Sequence, residues 1–276
     1  MRRALALVPV LLLPACFDRP LTAVEELQSL GQALESYQAE SLTSDVIEIS
    51  TDFTLGQAAE DAAAELRDWL ESQIDCSTVT IEGATVTVDF GVLGDECEWN
   101  GKTYAGLASV ELVSASEVTA EVVHTWVGLT DGEITLDGTA TVTWDAEASS
   151  RRIVHEATWT NEDDEELFAT GDRTQSLLAP SEGLAAGIVI EGARSWTIDG
   201  ETWAMDIDAV EARAQDPVPQ AGAYVLTTPS LKTATLAFAR VDEDTIAVTL
   251  SGGEEDRVWH VTATGVEEAP ADEPAA

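Results

Sequence analysis

The sequence predicts a mainly β fold (α+β). We expect a large antiparallel sheet or a β-sandwich built of serial hairpins, with two N-terminal helices packed on it. Two observations support this prediction. Short segments that alternate polar and β-branched residues recur from residue 78 to residue 264, separated by turns that often contain glycine. Two segments with helical periodicity precede them. The pattern leaves open whether the strands form one sheet or two.

The first helical segment begins at a capping box, Thr22-x-x-Glu25. Apolar residues then recur at steps of three and four, which predicts a helix over 23–39. This apolar stripe consists of Val24, Leu27, Leu30, Leu34 and Tyr37. The opposite face is acidic, whereas helices that lie on membranes usually carry basic residues there. We therefore expect the stripe to pack on the sheet.

A second capping box, Thr54-x-x-Gln57, predicts another helix that ends near residue 72. One side of this helix is rich in alanine and leucine, which permits close approach to a sheet. Between the two helices, residues 45–50 alternate in polarity and predict a first strand.

The N-terminus has the pattern of an export signal. Arg2 and Arg3 precede an apolar run, 4–13, that is too short to span a bilayer, so residues 1–15 are predicted to be a signal peptide. The motif Leu13-Pro14-Ala15-Cys16 resembles the bacterial lipobox. This resemblance implies cleavage before Cys16, lipidation of its sulfur and a lipid-anchored linker over 16–21. It places the protein in the bacterial cell envelope, and the absence of Asp at the second mature position indicates the outer membrane. A plain secretory peptide with a chance cysteine is the alternative.

Two hairpin signals and the other two cysteines lie between residues 76 and 106. Alternation on both sides of Glu82-Gly83 predicts one hairpin, and Asn100-Gly101 predicts the next. Cys76 and Cys97 bracket the first hairpin. Because disulfides persist in oxidising compartments, the export signal predicts a bond between them.

The same stretch contains VDFG followed by Cys97, Gly101-Lys102 and Gly106. This pattern resembles a recurrent segment of uncharacterised bacterial envelope lipoproteins, and the composition of the chain is similar to that of myxobacterial export proteins. The resemblance implies a hairpin stapled to its neighbour. It implies no activity and no functional residue.

The chain is strongly acidic, with 52 acidic residues, 13 basic residues and a formal net charge of −39. Such a surface repels nucleic acid and anionic lipid headgroups, so no nucleic-acid partner is expected. Residues 22–265 are predicted to form one β-rich domain, with a candidate subdomain break near 215–220. The acidic, Pro/Ala-rich segment 266–276 is predicted to be a disordered tail.

Acidic turns are the weak candidates for a metal site, with Asp163, Asp164 and Glu165 as possible calcium ligands. They do not have EF-hand spacing, and acidic runs at turns are usually solvated, so we expect no metal. His124, His155 and His260 lie in predicted strands without ligand spacing. No nucleophile elbow, Walker loop or dinucleotide fingerprint is present. The sequence therefore predicts no catalytic residue and no cofactor.

The favoured functional expectation is a non-catalytic, lipid-anchored envelope lipoprotein that acts as a structural or interaction module. Its partners would be the membrane, through the N-terminal lipid, and another envelope component. The alternative is a carrier that binds an apolar ligand, such as a lipid, between a curved sheet and the N-terminal helices. A hydrolase with paired carboxylates is the least favoured, because nothing singles out two of the many acids.

We expect the mature chain to begin at Cys16 and to carry a diacylglyceryl group on the sulfur. Mass spectrometry of the N-terminal peptide from protein extracted from its native membrane measures both features. A mature chain that starts at another residue and carries no lipid would contradict this prediction.

Overall fold

The computed structural model describes residues 20–49, 58–95, 97–99, 101–161 and 163–269. The predicted signal peptide, Cys16 and the start of the predicted linker lie outside these residues. The described part contains two α-helices and fifteen strands. The helices are α1 (Ala23–Ile49) and α2 (Ala59–Gln73). Neither helix is long and apolar enough to cross a membrane.

The strands are β1 (Thr78–Glu82), β2 (Thr85–Asp89), β3 (Cys97–Trp99), β4 (Lys102–Ala115), β5 (Thr119–Thr130), β6 (Ile134–Asp145), β7 (Ser150–Asn161), β8 (Glu166–Leu177), β9 (Ile188–Ile198), β10 (Glu201–Ala212), β11 (Ala221–Thr227), β12 (Thr233–Arg240), β13 (Ile246–Ser251), β14 (Arg257–Thr262) and β15 (Gly265–Glu268). They form one antiparallel sheet in which spatial order follows chain order, except that β3 pairs only with β4. The predicted serial hairpins are confirmed. Of the two architectures left open, the described residues adopt the single sheet.

Register partners point to the same side of a sheet, so the inner face can be traced as rows that cross the strands. One row contains Val86, Val110, His124, Ala140, His155, Gly171, Arg194, Met205, Leu226 and Ala234. The next contains Leu112, Val122, Val142, Ile153, Arg173, Gly192, Ile207, Tyr224, Leu236 and Leu250. Both rows are apolar at each end and carry charged or imidazole groups near the middle.

Helix α2 covers one end of this face. Its buried side, formed by Ala62, Ala63, Leu66 and Leu70, packs on β1, β2 and β4. The predicted second helix is thus confirmed, although it begins at Ala59 with Ala58 as its N-cap. The capping box at Thr54 lies outside the described residues.

Helix α1 is longer than the sequence predicted. It continues to Ile49, so the strand predicted over 45–50 is wrong for its described residues. The buried side chains Thr43 and Ile47 lie one helical turn apart and face the protein interior together. An existing helix adds each further residue at little cost, whereas a new strand needs a partner. The short alternating pattern is therefore absorbed into the helix.

The predicted packing face of α1 is wrong for Val24 and Leu27. Val24 and Leu27 are 74% and 70% exposed, while Glu26 and Ser29 on the other side are buried. The side chains of Leu34 and Tyr37 lie outside the described part of the chain. Polar contacts near the start of the helix explain this orientation. Lys232 Nζ donates to Glu25 Oε1 at 2.6 Å, and the Leu21 amide donates to the Gly252 carbonyl at 2.9 Å.

The predicted capping box at the start of α1 is confirmed. The Thr22 amide donates to Glu25 Oε2 at 2.8 Å, and the Glu25 amide donates to Thr22 Oγ1 at 3.4 Å. The Lys232 ammonium, together with the Thr22 donors, lowers the pKa of Glu25 to about 2. The first turn of α1 is thus tied to the loop between β11 and β12.

Two further expectations are revised near the C-terminus. Strand β15 includes residues 266–268 because Val266 pairs with Val261, so the predicted disordered tail is wrong for these residues. Residues 270–276 lie outside the described residues. At the candidate subdomain break, β10 and β11 pair directly on either side of 213–220, and the sheet continues without interruption.

The disulfide between Cys76 and Cys97 is present, with their Cα atoms 5.2 Å apart. Cys97 is buried in the main core beside Phe90 and Tyr104, whose ring centroids are 5.7 Å apart. The bond ties the start of β1 to β3. The bond thus links the β1–β2 hairpin covalently to β3, the short strand that pairs only with β4.

We expect reduction of this disulfide to lower the free energy of unfolding by about 3.4 kcal/mol, because the bond restricts the unfolded chain across a separation of 21 residues. Urea unfolding with and without reductant measures the difference. The chain carrying Cys16→Ser is the appropriate background, since it leaves no other cysteine for the reductant to affect. Equal midpoints under the two conditions would contradict the prediction.

Candidate functional site

A cavity of about 660 Å³ lies between α1 and the inner face of β8–β13. Its third wall is the segment 213–219, here called the connector, which joins β10 to β11. The apolar lining consists of Leu30, Ala33, Ile190, Met205, Ile207, Ala212, Pro217, Val218, Pro219, Tyr224, Leu226, Ala234, Leu236 and Leu250. The polar lining consists of Glu26, Ser29, Ser44, Arg173, Gln175, Arg194, Arg213 and Asp216.

A β-bulge near the end of β10 shapes the cavity. The register of β10 shifts between Ile207 and Val210, and Ala209 has a positive φ of 46°. The extra residue shifts the alternation by one, so Val210 and Ala212 face inward after Ile207. As a result, the chain enters the connector at the cavity wall.

The connector is held in place by Arg240 on β12. Arg240 Nε donates to Gln220 Oε1 at 3.0 Å, and its Nη2 contacts the Asp216 carboxylate. The Gln220 amide in turn donates to the Glu211 carbonyl at 2.8 Å. The segment that the sequence identified as a candidate subdomain break is therefore a fixed wall of the cavity.

The opposite wall is α1, which crosses several strands. Ser44 Oγ accepts a hydrogen bond from Arg173 Nη2 at 3.2 Å, and Gln32 Oε1 accepts one from Trp196 Nε1 at 3.4 Å. Together with the contacts of Leu21 and Glu25, these bonds hold the helix above β8, β9 and the β11–β14 end of the sheet. These polar contacts leave a space between the helix and the apolar side chains of the sheet beneath it, and this space is the cavity.

Three arginines line the cavity: Arg173 on β8, Arg194 on β9 and Arg213 on the connector. Burial and the nearby Arg194 guanidinium lower the pKa of Arg173 to about 10, although Tyr224 raises it. Burial also lowers the pKa of Arg194. An arginine with a pKa this far above neutrality remains charged, so the cavity combines apolar walls with fixed positive charge.

The calcium candidates lie at the other end of β8 from Gln175, in the turn after β7. Asn161 Oδ1 accepts hydrogen bonds there from the Asp163 amide at 3.0 Å and the Glu165 amide at 2.9 Å, and Asp164 has a positive φ of 59°. These contacts belong to the turn itself. In the described part of the chain, no three His, Cys, Asp or Glu residues are grouped so that they could hold a metal ion.

His124 and His155 occupy the same row of the inner face and are almost completely buried. Burial, and to a smaller extent the Arg151 charge, lowers the pKa of His124 to about 3. Burial, and then Arg194, lowers the pKa of His155 to about 4. Both rings are therefore neutral parts of the core at neutral pH.

The sequence interpretation did not identify the cavity arginines. The sequence does contain a sign that Arg173 is buried. Strand β8 alternates strictly, and its inward positions are Leu167, Ala169, Gly171 and Arg173. A charged residue in phase with buried apolar residues is unusual. The convergence of Arg213 on the same space had no comparable signal, since it depends on the bulge and on strand register.

No protein-family model, curated protein or solved structure matches the chain.

The buried histidines make stability depend on pH. Their pKa values in the folded state, about 3 and about 4, lie below the unfolded value of 6.5. Between these limits the unfolded state binds more protons, so stability is complete above 6.5 and falls as the pH falls. Each histidine should contribute a slope of about 1.4 kcal/mol per pH unit.

Urea unfolding between about pH 7 and about pH 5 measures this slope, and the carboxylates contribute to it equally in the parent chain and in its histidine variants. His124→Leu and His155→Leu should each reduce it by a similar amount. A slope that is unchanged in both variants would contradict the assignment of neutral, buried rings.

Proposed function

We propose that the protein binds a lipid in the cavity beneath α1 and acts as a non-catalytic carrier. The proposal adopts the alternative that the sequence left open and not the favoured interaction module. Its main support is the cavity itself, which is bounded by a sheet on one side and a helix on the other.

The volume and lining of the cavity suit a ligand with a long apolar chain. Small-molecule sites usually enclose about 300–1,000 Å³, mostly within apolar walls and with a few polar groups. The 660 Å³ cavity falls within this range, and its mostly apolar lining includes leucine, isoleucine, proline and methionine side chains. Each CH₂ group that moves from water into such a space contributes about 0.8 kcal/mol.

A purely structural module gives no reason for the cavity. Protein interiors pack as densely as organic crystals, and an unfilled apolar void reduces stability. Tyr224 and Leu236 each pack partly against both core clusters and also line the cavity. The void therefore lies where the two clusters meet, a place that larger side chains could have filled.

The lipobox-type signal fits this proposal. With Cys16 lipidated, four residues, 17–20, separate the anchor from Leu21, and the five steps from Cys16 to Leu21 span at most about 18 Å. Leu21 is joined to the turn between β13 and β14, and α1 follows directly. The carrier would thus hold its cavity close to the membrane with which it exchanges lipid.

A matched pair of substitutions on β12 tests the proposal in the full chain carrying Cys16→Ser, which has no covalent lipid. Ala234→Phe places a ring in the cavity, whereas Ala237→Phe places the same ring on the outer side of the strand. If the ring excludes only two CH₂ groups of the ligand from the cavity, the binding free energy falls by about 1.6 kcal/mol, and the ligand binds more than about tenfold more weakly. We therefore expect Ala234→Phe to weaken binding of the neutral fluorophore N-phenyl-naphthylamine and Ala237→Phe to leave it unchanged.

Native mass spectrometry of the same three proteins provides a second measurement. We expect co-purifying lipid on the Cys16→Ser chain and on its Ala237→Phe variant, and less on its Ala234→Phe variant. A clean apo mass together with absent fluorophore binding would remove the carrier and favour the interaction module.

A further inference from the structure

The cavity contains a group of arginines whose placement indicates what kind of lipid it takes. Arg173 pairs in register with Gly192, and Arg194 pairs with Gly171. The two arginines are thus diagonal neighbours on the inner face, within the reach of long side chains. Each has a glycine directly opposite within the β8–β9 pair, while on the other side Arg173 pairs with Ile153 of β7 and Arg194 pairs with Met205 of β10.

The two glycines are required by the local structure. Gly192 has a φ of +140°, and a Cβ there would lie 2.2 Å from the Asp172 carbonyl oxygen. A Cβ on Gly171 would lie 2.3 Å from Cε1 of His155. A larger residue therefore does not fit opposite either arginine in the β8–β9 pair without displacing its neighbours.

Both guanidinium groups are held in position. Arg173 is 8% exposed and donates to Ser44 of α1. Arg194 lies over the Trp196 ring, with its Cζ 5.6 Å from the ring centroid, and Trp196 stacks on Trp203 at 6.5 Å. The Arg194 charge contributes to the lowered pKa of Arg173, so the two guanidinium groups lie close enough to interact with one ligand headgroup.

Arg213 adds a third guanidinium from the connector. Its Nε is buried and has no hydrogen-bond partner in the part of the chain that the structure describes. The two carboxylates of the cavity lining are directed to other arginines: Glu26 to Arg257 at 3.6 Å, and Asp216 to Arg240.

This concentration of positive charge contrasts with the rest of the protein. The chain has only 13 basic residues against 52 acidic ones, and three of the 13 line this one cavity. Guanidinium groups form forked hydrogen bonds to carboxylate and phosphate oxygens, and such bonds are among the strongest in proteins.

We propose that Arg194 and Arg213, beside Arg173, bind the oxyanion headgroup of an anionic amphiphile whose apolar chain lies against Leu226, Leu236 and Leu250. This assignment deepens the proposed lipid-binding function and rests on it. The ligand class is a long-chain molecule with a carboxylate or phosphate at one end. A neutral lipid of the same length would fill the apolar part of the cavity but leave the arginines without the anion.

Two ligands that differ only in the headgroup test this assignment. Hexadecanoate and hexadecanol compete with N-phenyl-naphthylamine for the Cys16→Ser chain at about pH 8, where the carboxylate is ionised. A hydrogen bond to a charged group contributes about 1.5–3 kcal/mol, so hexadecanoate should bind about 10- to 100-fold more tightly than hexadecanol. Arg194→Gln and Arg213→Gln should each reduce this ratio, because they should weaken hexadecanoate binding more than hexadecanol binding.

Arg152→Gln is the matched control, because Arg152 lies on the outer face and pairs with Asp172 at 2.8 Å. It should preserve the full ratio. Displacement of N-phenyl-naphthylamine by hexadecanol from the two cavity variants would show that they remain folded. Arg173 is not substituted, because it is buried deeply enough for its loss to affect folding.

The outcomes separate the two proposals. Equal affinity for hexadecanoate and hexadecanol in the unaltered cavity would overturn the headgroup assignment alone, whereas displacement by neither ligand would overturn the lipid-binding function as well. Acetate and inorganic phosphate, at the concentrations at which hexadecanoate is effective, should not compete. Competition by either small anion at those concentrations would overturn the assignment in favour of a simple ion site.

Discussion

The structure depends on one constraint: a single large sheet has an apolar face that must be covered, and two α-helices cover it in the part of the chain that the structure describes. Helix α2 packs closely on β1, β2 and β4 through alanine and leucine. Helix α1 must extend over the remaining strands, and polar contacts hold it above β8 and β9. The unfilled volume beneath α1 is the direct result of covering a wide sheet with too little helix.

The charge of the protein gives this volume a particular character. The chain has a formal net charge of −39, which disfavours the approach of an anion, yet three arginines line the cavity. The two regions act at different ranges, since salt screens the outer charges but has less effect on groups shielded by protein. An anionic amphiphile that enters with its apolar chain would be repelled at the surface and stabilised within.

The sequence predicted features that depend on neighbours along the chain. The hairpins, the disulfide, the capping box at Thr22 and helix α2 follow from local patterns, and the structure contains all of them. The orientation of α1 could not be predicted because it depends on Lys232 and Gly252, which are remote in sequence. The cavity was hidden for a related reason: the bulge at Ala209 changes which residues of β10 face inward, and alternation alone gives no sign of it.

The strand order also dictates a sequence of folding events. Each strand after β4 pairs with the strand made just before it, so the sheet can grow from its N-terminal end as the chain is synthesised, with short loops to close at every step. Helix α1 does not follow this order. Its anchor Glu25 meets Lys232 across 207 residues, and Leu21 meets Gly252. The segment that emerges first is therefore among the last to dock, and until then the inner face of β8–β13 stays open to solvent.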